Sequence, residues 1–389
     1  MLRSLAEWIA IVVVTCLVGE AATRLAGVRP LTPGAAFWRP HERWGWHHVP
    51  DSTDRFVKLD FEREIHINSH GLREREIPYE KPPDVARVLV IGDSAVAGFE
   101  VADEEVFTRV AESILKAEGR RIEIVNAGTR GWGTDQSLLF LEDEGLRYHP
   151  DLVLYLWTPN DLFDNATVHR PFRVFGKPWF TLDADGRLEP RGIPVPTYPY
   201  RANVRVGEDG EAVELPVGAR KLALLWLRDV FVCHSSFATW LTSLAVRVPD
   251  LTHSVNEAGS SGDATDRPAD TGPQSPVFRV SVAMVREMDR VSREAGARFA
   301  MLGAEDGPGG AIRAAAGLPE LGDLRRLRER TPPGSTLTCV NDPHWNALGH
   351  RLYGEALADL LRDPTLGSTP ASQPAAPAAA TPIGVTSER

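Results

Sequence analysis

Four short motifs, in a fixed order along the chain, contain the residue types of an acyl-transfer site. They are Gly92-Asp93-Ser94, the glycine-rich turn over residues 126–131, Asn160-Asp161, and Asp342-Pro343-His344-Trp345. A serine hydroxyl needs an adjacent base before it can act as a nucleophile. The carbonyl oxygen that it attacks needs preorganised hydrogen-bond donors. The four motifs together supply a hydroxyl, a base, a carboxylate and several donors.

The Asp342–His344 spacing suits a base with an orienting acid. In an extended segment, residues two apart point the same way, so the Asp342 carboxylate can reach the His344 imidazole. Ser94 lies between an apolar run and a helical pattern, where a turn can expose its hydroxyl. An isolated Gly-Asp-Ser would more simply be read as a helix cap. The nucleophile interpretation of Ser94 therefore rests on all four motifs together.

In content and order, these motifs resemble those of the SGNH (GDSL-type) hydrolase superfamily, over about residues 60–362. The resemblance implies a catalytic triad of Ser94, His344 and Asp342. It also implies an oxyanion hole made by the backbone N–H of Ser94, the backbone N–H of Gly131 and the side-chain amide of Asn160. Many members place one more residue between the acid and the histidine, and the shorter Asp-x-His-Trp spacing is that of alginate-acetylation relatives. The phrase at residues 67–73 resembles a segment of membrane-anchored bacterial members.

The glycine of the oxyanion hole has three candidates, Gly128, Gly131 and Gly133. Glycine suits this role because it has no Cβ to block a close approach of substrate. Counting along the family's turn from Val125-Asn126 favours Gly131. The other two are interpreted as turn residues. Tryptophans 132, 157 and 345 flank three of the motifs, where sugar stacking and core packing are both open interpretations.

The elements between the motifs alternate in the manner of an α/β protein. Strands are predicted at 88–91, 122–125, 152–157, 298–302 and 335–340, with helices at 104–117, 134–144, 277–294, 320–329 and 346–361. This rhythm predicts a three-layer α/β/α sandwich around a mainly parallel sheet, flavodoxin-like as in SGNH proteins. In such sheets, ligands bind beyond the carboxyl ends of the strands. The first three motifs occupy that position.

The predicted organisation has four parts. Residues 1–26 form an N-terminal segment, residues 27–85 an extension with one short hairpin, residues 86–362 the hydrolase domain, and residues 363–389 a disordered tail. An insert at about 163–276 breaks the alternation. It is loop-rich and proline-rich, with helices at 220–246 and a mobile stretch at 256–275. We interpret the 220–246 helices as a lid or cap rather than a membrane-facing element, because their polar face has few cations.

The N-terminal segment contains a continuous apolar stretch from Trp8 to Gly19. With its flanks it reaches the ~20 residues of a membrane-spanning helix, although a signal-peptide core would also fit. No convincing cleavage site follows, which favours an uncleaved anchor. The flanking cations, Arg3 before and Arg24 and Arg29 after, do not decide its orientation. By family context, the catalytic domain is expected in the periplasm or outside the cell.

Composition restricts the remaining classes of function. The chain has 389 residues, 43% of them hydrophobic and 25% charged, as expected for a packed core. A net charge of −10 without a basic run argues against a nucleic-acid partner. Three cysteines in unrelated contexts, with no CxxC spacing, support neither a disulfide framework nor a zinc site. We therefore expect no metal and no cofactor; the sequence does not identify a protein partner.

The motifs and the resemblance predict a serine esterase that acts through an acyl-serine intermediate. The expected substrates are short-chain acyl esters, chiefly O-acetyl esters, of a glycan or a lipid. Two alternatives remain open at this point. One is an O-acetyltransferase of cell-surface polysaccharide, and the other is a non-catalytic glycan-binding module with the same fold.

Overall fold

The computed structural model describes residues 2–33, 36–171, 173–245, 271–363 and residue 366. Its α-helices are α1 (Leu2–Leu25), α2 (Ser94–Ala97), α3 (Phe107–Ala117), α4 (Thr134–Asp143), α5 (Asp161–Asn165), α6 (Ala219–Leu227), α7 (Ser236–Ala245), α8 (Pro276–Glu294), α9 (Gly307–Ala315), α10 (Asp323–Arg330) and α11 (Ala347–Arg362). Short 3-10 turns cover Asp103–Glu105 and Gly145–Tyr148, and a π-helical turn covers Arg228–Val232. The predicted mobile stretch lies outside the described residues from 256 to 270, as does the predicted tail apart from residues 363 and 366.

The strands form one central sheet and four small ones. They are β1 (Trp38–His41), β2 (Gly45–His48), β3 (Ser52–Val57), β4 (Glu62–Ile67), β5 (Ala86–Gly92), β6 (Ile122–Gly128), β7 (Leu152–Leu156), β8 (Thr167–His169), β9 (Trp179–Leu182), β10 (Leu188–Arg191), β11 (Val204–Val206), β12 (Ala212–Glu214) and β13 (Arg298–Leu302). The central sheet has the order β13-β7-β5-β6, and all its pairs are parallel. Gly92 lies opposite both Gly128 and Leu156, so three strands end level with one another.

Helices cover both faces of the central sheet, which confirms the predicted three-layer sandwich. Alternate residues of each strand enter two separate cores because side chains point to opposite faces along a strand. Leu89, Ile91, Val125 and Val153 pack with α4 and α8. Val88, Val90, Ile124 and Leu154 pack with α3 and α11. The strands therefore read as continuous apolar runs, as buried parallel strands do.

The N-terminal extension contains two hairpins where one was predicted. The predicted hairpin is present as β3–β4, and β1 pairs with β2 as a second antiparallel hairpin. Phe37, Phe56 and Phe99 form an edge-on aromatic cluster between the extension and the segment after α2. This packing brings the extension next to the residues that follow Ser94.

The predicted strand at 335–340 is wrong. Its residues make only an isolated bridge, between Thr338 and Trp345. The chain folds back on itself here, because the Cys339 N–H donates to the His344 carbonyl at 3.0 Å and the Asn346 N–H donates to the Leu337 carbonyl at 2.8 Å. The segment therefore satisfies its backbone locally in a loop and does not join the sheet.

The other predicted elements are present with shifted ends. The structure also contains elements that the sequence did not predict. Helix α3 begins at Phe107 after a 3-10 turn, and α10 covers Asp323–Arg330. Helix α9 was not predicted, because its Gly-Pro-Gly-Gly start is typical of a loop. The insert contributes the β8–β11–β12 sheet, the β9–β10 hairpin, α6 and α7.

Helix α1 is long and apolar enough to cross a membrane. The qualifying span is Leu5–Leu25, 21 residues, and most of its side chains are exposed. A signal sequence would satisfy the same test of length and composition.

Candidate active site

Ser94 is the first residue of the short helix α2, directly beyond the end of β5. The Asp93 carboxylate accepts a hydrogen bond from the Ala95 N–H at 2.8 Å and so caps this helix. The cap is therefore Asp93, and the Ser94 hydroxyl remains available for other contacts. The backbone N–H of Ser94 has no hydrogen-bond partner among the described residues.

His344 reaches Ser94 from a loop 250 positions downstream. Its Nε2 lies 2.7 Å from the Ser94 Oγ, the distance of a hydrogen bond. On the opposite side of the ring, Nδ1 contacts the Asp342 carboxylate. The structure thus brings Ser94, His344 and Asp342 into one continuous chain of contacts.

The loop around His344 is fixed at several points. The His344 N–H donates to Asp342 Oδ1 at 3.1 Å. Asn341 donates to the carboxylate of Asp60, in the extension, through both its backbone N–H and its side-chain amide. The extension therefore helps to hold the histidine against Ser94.

Asp342 is in an environment that favours its ionised form. Burial acts to raise the pKa of the Asp342 carboxyl. The hydrogen bond and charge of His344, together with the charge of Arg130, outweigh burial and hold that pKa well below its ordinary value. An ionised carboxylate can orient the imidazole and stabilise its protonated form.

A second carboxylate, which the sequence analysis missed, lies on the same side of the histidine. The fully buried Glu100 has its Oε1 3.5 Å from His344 Nδ1. Arg130 Nη1 lies 2.5 Å from the same oxygen. Burial acts to raise the pKa of Glu100, but the charges of Arg130 and His344 outweigh it and lower that pKa. The only signal in the sequence was the presence of Arg130 inside the glycine-rich motif.

The ligand-type atoms of Glu100, Asp342 and His344 lie within 4.8 Å of one another. Such a group could in principle hold a metal ion. Here the guanidinium of Arg130 already contacts Glu100, and His344 Nδ1 contacts Asp342. We interpret the cluster as a charge-compensated support for the histidine.

The Asn160 side chain is hydrogen-bonded to the serine motif through Asp93. Its Nδ2 donates to Asp93 Oδ2 at 2.9 Å and to Asp164 Oδ2 at 2.8 Å. Its Oδ1 accepts from the Thr158 hydroxyl at 2.8 Å. Asp161 accepts a hydrogen bond from the Thr158 N–H at 2.7 Å, so it holds the loop that carries Asn160.

The three glycine candidates differ in their surroundings. A Cβ on Gly128 would lie 2.4 Å from the Ala97 backbone nitrogen, and a Cβ on Gly133 would lie 2.7 Å from Asn165. Gly131 has a left-handed φ of +79°, and a Cβ there would meet only the Trp46 ring, at 3.5 Å. Among the described residues, the Gly131 N–H has no hydrogen-bond partner. Gly128 and Gly133 are therefore packing positions, and Gly131 is the least enclosed of the three.

Two of the three tryptophans beside the motifs belong to the protein interior. Trp132 and Trp157 are buried, and the Trp132 indole donates to the Trp46 carbonyl at 3.0 Å. The half-buried Trp345 packs on Tyr353. Of the two open interpretations, core packing applies to Trp132 and Trp157.

No family model matches the chain, and no curated protein matches it. Solved structures that are similar to it include TesA, with 13% identity over 71% of this chain and 98% of that one and a TM-score of 0.35. A lipase/acylhydrolase from Enterococcus faecalis has 15% identity over 72% of this chain and 96% of that one, with a TM-score of 0.31. A catalytic mutant of an acetylxylan esterase from Geobacillus stearothermophilus has 13% identity over 70% and 93%, with a TM-score of 0.25. In its motifs and site geometry, the chain resembles SGNH-type hydrolases.

Proposed function

We propose that this protein is a serine esterase that hydrolyses short-chain acyl esters, chiefly O-acetyl esters, of a glycan or a lipid. The observation that carries the proposal is the 2.7 Å contact between Ser94 Oγ and His344 Nε2, with Asp342 on the other ring nitrogen. A hydroxyl, a base and an orienting acid in line are the arrangement that acyl transfer requires.

In the proposed reaction, His344 Nε2 takes the proton of Ser94 as Oγ attacks the ester carbonyl carbon. The tetrahedral intermediate collapses, the bond to the alcohol oxygen breaks, and His344 returns the proton to the leaving alcohol. Water then attacks the acyl-serine while His344 takes one of its protons. Collapse of the second intermediate releases the carboxylic acid and restores the Ser94 hydroxyl.

The negative oxygen of each intermediate is proposed to accept hydrogen bonds from the Ser94 N–H, the Gly131 N–H and the Asn160 amide. The left-handed Gly131 and the absence of described partners for both N–H groups support this assignment. The Asn160 amide donates to Asp93 and Asp164, so one of these hydrogens would turn to the substrate oxygen. Preorganised donors of this kind typically contribute roughly 3–4 kcal/mol each.

We further propose that α1 anchors the protein in a membrane and that the catalytic domain acts outside the cytoplasm. The 21-residue apolar span of α1 supports the anchor. The substrate would then be an ester of the cell envelope.

An O-acetyltransferase is the second candidate, supported by the Asp-Pro-His-Trp spacing. It would share the acyl-serine, and a sugar hydroxyl would replace water in the second half of the reaction. The order of the motifs favours the hydrolase, because alginate-type transferases place the Asp-His pair before the serine.

The test is covalent labelling of the full chain with a fluorophosphonate probe, followed by turnover of p-nitrophenyl esters of increasing chain length. We expect Ser94→Ala to abolish labelling and to lower turnover at least roughly a thousandfold, since the triad acts as a unit. Ser52→Ala is the matched control, because the hydroxyl of this half-buried serine in the extension donates to the Val49 carbonyl.

Three results would redirect the proposal. Labelling with turnover only after a glycan acceptor is added would indicate the transferase. Equal labelling of the wild type and Ser94→Ala would remove Ser94 as the nucleophile. An unlabelled wild-type chain that binds glycan would indicate the binding module.

A further inference from the structure

Exposed apolar side chains are concentrated in two parts of the molecule. Of 24 exposed large hydrophobic residues in the described chain, ten lie in α1 and eight lie in the segment Ala219–Ala245, which comprises α6, the π-helical turn and α7. We call this segment the insert helices. The eight residues are Leu224, Trp226, Leu227, Val230, Phe231, Trp240, Leu241 and Leu244. Soluble surfaces rarely group apolar side chains in this way without a partner.

The insert helices are attached directly to α1. The Glu20 carboxylate accepts hydrogen bonds from the Ser235 hydroxyl at 2.7 Å, the Ser236 N–H at 3.2 Å and the Phe237 N–H at 3.0 Å. These donors include the first N–H groups of α7, which have no partners inside the helix. Glu20 therefore caps α7 from the side of α1.

Close packing supports the same attachment. A Cβ on Gly19 would lie only 2.7 Å from the Phe237 ring, so the ring rests on the glycine backbone. Phe237 in turn stacks on Trp240, with 6.0 Å between ring centroids. The α1–α7 contact is thus a packed junction, reinforced by hydrogen bonds.

The position of this junction along α1 determines how deep the junction would lie in a membrane. Glu20 lies inside the apolar span Leu5–Leu25, five residues before the end of that span. At 1.5 Å per residue, this is about 8 Å of helix. A membrane that contains the whole span must therefore reach the start of α7, within the layer where amphipathic helices lie.

We infer that the insert helices are a second membrane-contacting element, seated in the lipid interface beside the C-terminal end of α1. This inference rests on the proposed anchoring by α1 and is independent of the ester chemistry. Trp226 and Trp240, exposed by 46% and 40%, are the residue type enriched at membrane interfaces. Leu225 and Cys233 are buried, so the segment has a protein-facing side as well as an apolar outer side.

The exposure of the outer face favours membrane contact over the lid that the sequence predicted. A closed lid would bury its apolar side chains over the catalytic site. Phe231 and Leu241 are instead 48% and 46% exposed. The face is also continuous with α1, whose own exposed side chains require lipid if α1 is an anchor. Lipid is therefore the occupant that covers both surfaces at once.

The test measures lipid contact in the full chain at chosen positions. The three native cysteines are replaced by alanine, and single cysteines at Leu241→Cys, Val18→Cys and Val213→Cys carry an environment-sensitive dye. Val18 lies in α1. Val213 lies on β12 of the insert and is 43% exposed, close to the 46% of Leu241. The labelled chains are placed in phosphatidylcholine nanodiscs with and without brominated acyl chains.

We expect brominated lipid to quench the dye at position 241 several-fold more than the dye at 213. The quenching at 241 should approach the quenching at position 18. Quenching at 241 no stronger than at 213 would overturn the inference. A blue-shifted but unquenched dye at 241 would also overturn it, since a second copy of the chain or another protein would then cover the face. Absence of quenching at 18 would remove the anchor and the inference with it.

Leu227→Cys, on α6, provides a second reporting position if Leu241→Cys misfolds. Both residues are exposed, so neither change removes a core contact. The thermal unfolding midpoint of each labelled chain, compared with that of the cysteine-free chain, checks that the fold is intact.

Discussion

At the scale of single residues, the site places two carboxylates and one guanidinium around His344 Nδ1. Asp342 contacts the ring directly, and Glu100 lies behind it at 3.5 Å. Arg130 compensates one of the two negative charges through its 2.5 Å contact with Glu100. The protonated imidazole of the proposed acyl transfer would therefore meet a net negative environment, which stabilises it.

We expect Glu100→Gln to lower kcat/KM by roughly tenfold, the effect of about 1.4 kcal/mol. Because a negative charge near the ring is lost, the imidazolium that forms in the transition state is less stabilised, so kcat should fall more than KM rises. Steady-state kinetics with p-nitrophenyl acetate separate the two constants. Glu104→Gln is the matched control, since Glu104 is exposed. A kcat equal to that of the control would contradict this role of Glu100.

At the scale of elements, the proposed nucleophile, Ser94, lies on a helix of only four residues. Such a helix has little stability of its own, because nucleation is costly and so few residues add few bonds. Its position depends on the end of β6, where Gly128 lies under Val96 and Ala97. The Asn126 side-chain amide also donates to the Val96 carbonyl at 2.8 Å. The glycine-rich motif thus packs against α2 and supports it.

We expect Gly128→Ala to destabilise the fold by roughly 1–3 kcal/mol, the usual cost of overpacking, and to lower esterase activity by displacing α2. The added Cβ would lie 2.4 Å from the Ala97 nitrogen and 2.5 Å from the Val96 Cβ. Gly218→Ala is the control, because nothing lies within 4 Å of a Cβ there. Urea unfolding and p-nitrophenyl acetate turnover measure the two effects. Identical behaviour of the two variants would contradict this account.

The elements show where sequence reasoning succeeds and where it fails. Long apolar periods predicted β5, β6, β7 and α8, because their buried faces repeat at a fixed spacing. The segment at 335–340 alternates polar and apolar residues as a strand does, but its backbone bonds to the adjacent loop. The contact between Ser94 and His344 followed from motif order. Glu100 belongs to none of the motifs, and a lone buried carboxylate is recognised chiefly from its neighbours in space.

At the scale of the whole molecule, the N-terminal extension and the sandwich share buried charges. The Glu74 carboxylate accepts from the Asn126 N–H of β6 at 3.2 Å and contacts Arg109 of α3 at the same distance. Burial raises the pKa of Glu74 to about 7. The charge of Arg75 and the backbone N–H groups of Arg75 and Asn126 offset part of this effect. The proposed boundary at residue 86 therefore remains a prediction, and a network of contacts crosses it.

This shift gives the stability of the whole fold a pH dependence. Between about pH 4.5 and 7, the folded chain keeps a proton on Glu74 that the unfolded chain has released, so the free energy of unfolding falls as pH rises. The loss attributable to this group is on the order of 3 kcal/mol. Glu74→Gln should remove it, whereas the exposed Glu80→Gln should not. Urea unfolding at pH 5 and pH 8 measures the difference, and parallel profiles for all three chains would refute the assignment.

The bonds from Asn341 to the Asp60 carboxylate connect the loop of His344 to a turn that precedes the sandwich in the chain. Recombination that exchanged the first eighty residues with those of a distant relative would replace one half of this tie. The histidine would then lose a support although every motif was retained. We therefore expect the two regions to be inherited together. A substitution at residue 60 should be accompanied by one at residue 341.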